Sequence, residues 1–145
     1  MSEHTASIHW QQQGPFSHEG FERAHKATIS GHELPMSGAS TANFADPEQT
    51  LAASLASCHM QTFLLLAAKK RLQVSKYEDT AVATIATNEQ GKQYVSQVIL
   101  SPKATFTGDK HPSQDELEKM HEKAHDHCFI SNSLISTVII KPILA

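Results

Sequence analysis

Two residues of this 145-residue chain stand out for their chemistry, the cysteines at positions 58 and 128. A pair of thiols is too few for a disulfide scaffold. In a reducing compartment a pair of this kind is catalytic, metal-binding or simply buried. Buried packing is the equal alternative on counting alone, because a free Cys behaves as a small hydrophobe. If two inward-facing thiols meet, they offer a specific redox chemistry. A thiolate attacks the O–O bond of a peroxide and becomes a sulfenic acid, and the second thiol condenses with it and releases water.

Activation is the difficulty for Cys58. A mid-helix thiol gains little from the helix dipole, and apolar burial raises its pKa. A cation must compensate. Arg23, read as lying on the second strand, is the candidate, since a guanidinium stays charged and can grip a carboxylate at two points. Glu48 is the candidate carboxylate. Ten residues separate Glu48 from Cys58, about 15 Å along a helix axis. Either the helix breaks after its first turn, or the Glu serving one site comes from another copy of the chain.

Other chemistries fit less well. His121, His125, His127 and Cys128 share one segment, but the paired spacing of a Cys/His zinc site is absent. His59 follows Cys58 directly, and neighbouring helix residues point about 100° apart, so it is a poor base for that sulfur. No glycine-rich phosphate loop or Ser–His–Asp order is visible. No metal or organic cofactor is expected.

The elements that must position these residues are partly legible. Asp46-Pro47-Glu48-Gln49 opens a helix, with Asp as N-cap, Pro in the first turn and Gln49 completing a capping box. It runs to Lys69, Lys70 and Arg71, whose charges suit its C-terminus. Nothing between Glu48 and Lys69 carries a permanent charge. A membrane span is the competing reading, but Ser54, Ser57, His59, Gln61 and Thr62 interrupt the stretch, and no membrane is expected. A helix apolar on all sides is a buried one. A chain this small has little material to wrap ~36 Å of helix, which points to a dimer with two such helices packed together.

Short strands are expected at Ser7–Gln12, Phe21–Ser30 and Glu33–Ser37, with a turn at Gly31-His32. Longer ones are expected at Tyr77–Thr87 and Gln93–Phe106, joined by a hairpin loop over Asn88–Lys92. Pro102 marks an irregularity in the second. Ser113-Gln-Asp-Glu116 is another capping box. In the helix it opens, Leu117, Met120, Ala124 and Cys128 follow one face. Leu134–Ile143 closes as a strand. No repeat or linker divides the chain, so one domain over 1–145 is expected. The formal charge of −3, with 39% hydrophobic and 19% charged residues, gives no footprint for nucleic acid. The polar, acid-bearing opening Met1–Ile8 does not read as a secretory signal, and a cytoplasmic location is the expectation.

Two segments resemble the OsmC/Ohr family, the osmotically inducible and organic hydroperoxide resistance proteins. The first is Ala45-Asp-Pro-Glu-Gln-Thr-Leu-Ala-Ala-Ser-Leu-Ala-Ser-Cys-His-Met60, and the second Ala124-His-Asp-His-Cys-Phe-Ile-Ser-Asn-Ser133. The resemblance implies an α+β fold with antiparallel sheets around long central helices, in an intertwined homodimer with sites at the subunit interface. It also implies roles: Cys58 peroxidatic, Cys128 resolving, Arg23 the catalytic arginine, and Glu48 the carboxylate that holds it. Organic hydroperoxides would be the substrates, with Leu55, Met60, Phe63 and Phe129 candidates to line an apolar site. A dithiol, possibly on a lipoylated protein, would be the reductant. His-Met after Cys58 and Phe-Ile after Cys128 depart from the better-known hydroperoxide reductases and place the chain nearer an OsmC-like subgroup. The alternative function is a slow redox-sensing or small-molecule-binding dimer.

Overall fold

A computed structural model describes residues 1–39 and 41–144. Its backbone gathers into two units, Met1–Thr50 and Leu51–Ala145.

The first unit is a three-stranded antiparallel sheet of β1 (Ser7–His9), β2 (His25–Ile29) and β3 (His32–Met36), in that order. The β2–β3 turn falls on Ser30-Gly31, one residue earlier than the sequence suggests. Both residues have positive φ, 49° and 78°, the backbone a two-residue hairpin requires. β1 and β2 are shorter than their patterns predict, and β3 keeps its expected length one residue earlier. The strand expected from Phe21 begins only at His25, so Arg23 lies ahead of β2 rather than on it. Upstream, Trp10 donates its indole N–H to the Glu22 carbonyl at 2.8 Å. Phe16 packs between Trp10 and Phe21, with ring centroids 5.7 and 5.5 Å away. These contacts hold the segment as a folded loop.

Helix α1 (Pro47–Lys69) starts at the end of this unit and continues into the second. Its capping box forms as the sequence indicates: Gln49 N–H donates to Asp46 Oδ1 at 2.8 Å, and Asp46 N–H to Gln49 Oε1 at 2.9 Å. The helix ends in a Schellman-type turn. Arg71 adopts φ 59°, and Leu72 N–H reaches back to the Ala67 carbonyl at 3.0 Å. By length and composition α1 is apolar enough to cross a membrane, yet one stripe of it, Ala52, Leu55, His59, Phe63 and Ala67, is buried within this chain. The three- and four-residue spacing defines a single face. The helix is therefore not wrapped on all sides within one chain; Leu65, on the other side, is 56% exposed.

In the second unit each of the two expected long strands divides. The first takes in only the end of β4 (Gln73–Glu78), which begins four residues before Tyr77, and then forms β5 (Val82–Thr87); the second becomes β6 (Gln93–Leu100) and β7 (Lys103–Thr107). β4 pairs with β7, and β5 with β6, so each chain path leaves one sheet for the next. The break is fastened where Ser101 N–H donates to Asp79 Oδ1 at 2.7 Å, and Pro102, lacking an N–H, cannot continue the ladder. The β5–β6 loop closes on Asn88, whose Oδ1 accepts from Gln90 and Lys92, with Gly91 at φ 77°.

Helix α2 (Gln114–His127) has both halves of its capping box, and the short α3 (Phe129–Asn132) follows it. The last strand, β8 (Thr137–Ile140), is shorter than expected and joins β6 in parallel, the one parallel strand pair among the described residues. Apolar residues form two clusters along α1. One gathers Phe63, Ala67, Leu72, Ala104, Leu117, Met120 and Ala124. The other gathers Ala52, Leu55, Val98, Leu100 and Cys128, with Cys58 packed against it.

Candidate functional site

Cys58 occupies the middle of α1, half-buried, on the side facing the second cluster. Cys128 is fully buried. It does not extend the α2 stripe, as its spacing from Ala124 suggests. The helix ends at His127, and Cys128 turns extended (φ −79°, ψ 116°), serving as C-cap of α2 and N-cap of α3. That turn moves its sulfur from the cluster of Leu117, Met120 and Ala124 into the cluster of Leu55 and Val98.

Both thiols are free, and they sit against each other. Burial, followed by the hydrogen-bonding contact with the Cys58 sulfur, pushes the Cys128 thiol up to about 11. Ser131 N–H, donating to Cys128 Sγ at 3.4 Å, works in the opposite direction. At neutral pH Cys128 is therefore a protonated thiol. The cluster can supply a sulfur that attacks and a second sulfur within reach to close on it.

Arg23 and Glu48 are brought together within the first unit. They line a cleft of about 700 Å³ whose walls include Trp10, Phe16 and Phe21. The Arg23 guanidinium lies 4.6 Å above the Phe21 ring centroid, a cation–π contact. A Cβ added to Gly38 would approach Arg23 Cδ to 3.2 Å, so glycine keeps room for that side chain. Arg23 is exposed and Glu48 half-buried. Ion pairs among the described residues join Lys26 to Glu33, Lys76 to Glu78 and Lys119 to Asp115, leaving Arg23 and Glu48 unengaged. Helix α1 is unbroken from Pro47 to Lys69, which removes the possibility that a kink after its first turn brings Glu48 back to Cys58.

The four residues expected to line an apolar site separate. Leu55, 1% exposed, packs in the thiol cluster. Met60 is half-buried. Phe63 is completely buried in the other cluster, stacked on His121 at 4.3 Å and tilted against Tyr77 at 5.6 Å. It is a core residue, because the stripe one turn beyond His59 already faces α2. Phe129 is 81% exposed, pointing away once Cys128 has turned inward. The aromatic wall around Arg23 escaped the sequence reading because Trp10, Phe16 and Phe21 follow no regular period.

Two of the histidines, His59 and His121, are interior. His59 Nε2 and His121 Nδ1 share a 2.9 Å hydrogen bond, their rings stacked 7° from parallel. Burial above all, with His125 nearby, holds His59 down to about 4. Burial and His59 hold His121 down to about 3. Both are neutral imidazoles at physiological pH. His125 turns instead to Ser131, 2.9 Å away. No group of three or more His, Cys, Asp or Glu among the described residues is arranged to hold a metal. The position of His121 one turn from Leu117 and Ala124 was the available signal that it is interior.

The OsmC-like protein family model matches residues 40–142. An OsmC-like protein of unknown function from Vibrio cholerae is 36% identical, with a TM-score of 0.92 over 99% of this chain and 100% of that one. The organic hydroperoxide resistance protein OhrB of Bacillus subtilis shares the fold at 19% identity, with a TM-score of 0.67 over 97% of this chain and 98% of its own. So does the organic hydroperoxide resistance protein OsmC of Legionella pneumophila, at 21% identity and a TM-score of 0.65 over 100% and 99%. No curated protein matches the chain. With a family match over most of its length, a 36% identical relative covered end to end, and an α+β fold shared with OsmC and Ohr proteins, this chain belongs to the OsmC-like family.

Proposed function

We propose that the protein is a cysteine-based peroxidase that reduces organic hydroperoxides to alcohols. The observation that carries this reading is the packing of two free thiols, Cys58 and Cys128, against each other in one apolar cluster. The Cys58 thiolate attacks the terminal hydroperoxide oxygen, the O–O bond breaks, and the alkoxide leaves as an alcohol after taking a proton. Cys58 is then a sulfenic acid. Cys128 attacks it, a disulfide forms and water departs. A dithiol reductant, such as one carried on a lipoylated protein, returns both sulfurs to thiols. The Bacillus and Legionella proteins that share the fold are organic hydroperoxide resistance proteins, which supports this chemistry. The apolar surroundings of both sulfurs favour alkyl over inorganic peroxide.

In this reading Arg23 stabilises the Cys58 thiolate and Glu48 orients the guanidinium. The protein acts as a homodimer in which the Arg23 and Glu48 that serve one Cys58 both come from the other copy. Support comes from the unbroken α1 and from the apolar side chains left open in the second unit, Leu65, Phe129 and Ile135. The proposed setting is the cytoplasm, where a dithiol pool is available. The raised Cys128 thiol favours a second reading, a redox-sensing or small-molecule-binding dimer in which disulfide closure is slow.

One assay separates them. Reduced protein is mixed with cumene hydroperoxide or hydrogen peroxide under excess dithiol, as wild type, Cys58→Ser and Cys128→Ser. The peroxidase reading expects sustained turnover in wild type, greater with the organic peroxide. Turnover in Cys58→Ser equal to wild type would sink it, and a single stoichiometric oxidation without turnover would support the sensor.

A further inference from the structure

Ser131 is engaged at both ends. Its backbone N–H donates to Cys128 Sγ at 3.4 Å, and its hydroxyl Oγ lies 2.9 Å from His125 Nδ1. His125 is in the last turn of α2, and Ser131 is in α3 on the far side of the extended Cys128. The three residues thus form a closed clasp around the corner where the chain turns the sulfur inward. Helix α3 has four residues, too few to hold its own geometry by backbone bonds alone. A displacement of α3 that pulled the Ser131 N–H off the sulfur would also break the imidazole–hydroxyl bond.

From this clasp we infer that His125 is a positioning residue for disulfide closure, acting through Ser131 to hold the Cys128 sulfur against Cys58. The inference rests on the peroxidase reading above and concerns its second step. In that step a lone pair on the Cys128 sulfur forms the S–S bond, and the S–O bond of the Cys58 sulfenic acid breaks. The departing hydroxide and the proton from the Cys128 thiol leave as water. Cys58 sulfur is reduced and Cys128 sulfur oxidised. As the proton is lost, the Ser131 N–H becomes a charge-assisted donor to the developing thiolate, so fixing its aim matters most at the moment of closure.

The test is a single turnover with one equivalent of cumene hydroperoxide, quenched with dimedone at intervals and read by intact-mass spectrometry. The rise of the dimedone adduct at Cys58 reports sulfenic acid formation, and its decline reports closure. His125→Ala is expected to leave the rise unchanged and slow the decline about ten-fold, the scale of one lost hydrogen bond. His125→Asn, whose amide places a hydrogen-bonding atom near the Nδ1 position, is expected to restore most of the rate, which a generally loosened helix would not do. Ser131→Ala is expected to slow closure as His125→Ala does, and the double variant to be no slower than either alone. Closure at the wild-type rate in His125→Ala, or additive slowing in the double variant, would overturn the positioning role while leaving the peroxidase reading intact. If no adduct forms on wild-type Cys58, the peroxidase reading falls and this inference falls with it.

Discussion

The imidazoles of His59 and His121 meet in the buried interior as a stacked, hydrogen-bonded pair, Nε2 to Nδ1 at 2.9 Å. Burial holds both well below the ordinary value of 6.5, at about 4 and about 3. In the unfolded chain each takes up a proton near 6.5; in the folded chain neither does until well below 5. Between those values the unfolded state binds more protons, so stability rises with pH. Stability is expected to be complete above about pH 6.5 and to fall steadily toward pH 4. The loss is on the order of 3 kcal/mol for His59 alone. Urea denaturation at pH 7, 6 and 5 measures it, and His121→Phe should flatten the slope. An unchanged midpoint across that range would contradict the pairing.

Arg23 has no ion-pair partner among the described residues and rests on Phe21. If it stabilises the Cys58 thiolate, Arg23→Ala should slow sulfenic acid formation by about 10²–10³-fold, as loss of a preorganised electrostatic donor does. Arg23→Lys should recover only part, because it keeps the charge and loses the planar fork. Stopped-flow peroxide consumption gives both rates. Full activity in Arg23→Ala would remove it from the mechanism.

Phe63 sits at the centre of the cluster that excludes the thiols. Phe63→Ala is expected to cost about 3–5 kcal/mol of stability, read as a lowered denaturation midpoint. At a temperature where the variant remains folded, the ratio of rates with cumene hydroperoxide and hydrogen peroxide should match wild type. A changed ratio would return Phe63 to the substrate site.

Leu65 on α1, with Phe129 and Ile135, leaves a large apolar area uncovered in one chain. Leu65→Glu should weaken self-association, since a charge in a closed apolar contact is costly. Sedimentation velocity at micromolar concentration is expected to show dimers for wild type and a shift toward monomer for the variant. Monomeric wild type would rule out the homodimer.

Helix starts were the most legible features, because a capping box is written in four adjacent residues, as at Asp46–Gln49 and Ser113–Glu116. The long strands were not. Their alternation continues across Asp79 and Ser101, but the hydrogen bond between those two residues, 22 positions apart, and the missing N–H of Pro102 divide them. Position 128 shows the same limit in the site. Its spacing from Ala124 predicts continued helix, and only the backbone turn at Cys128, tied by Ser131, reveals which cluster receives the sulfur. The pairings of His59 with His121 and of Arg23 with Phe21 depend on residues far apart in sequence or in irregular loops, where periodicity carries no information.

The meeting of Cys58 with Cys128 also has a mechanical side. A bond between them would close a loop of roughly 70 residues, which constrains the unfolded chain by about 4 kcal/mol. It would anchor the midpoint of α1 to the corner between α2 and α3. Each oxidation would then tighten the molecule and each reduction slacken it, so that thermal resistance itself would record the redox history of the two sulfurs.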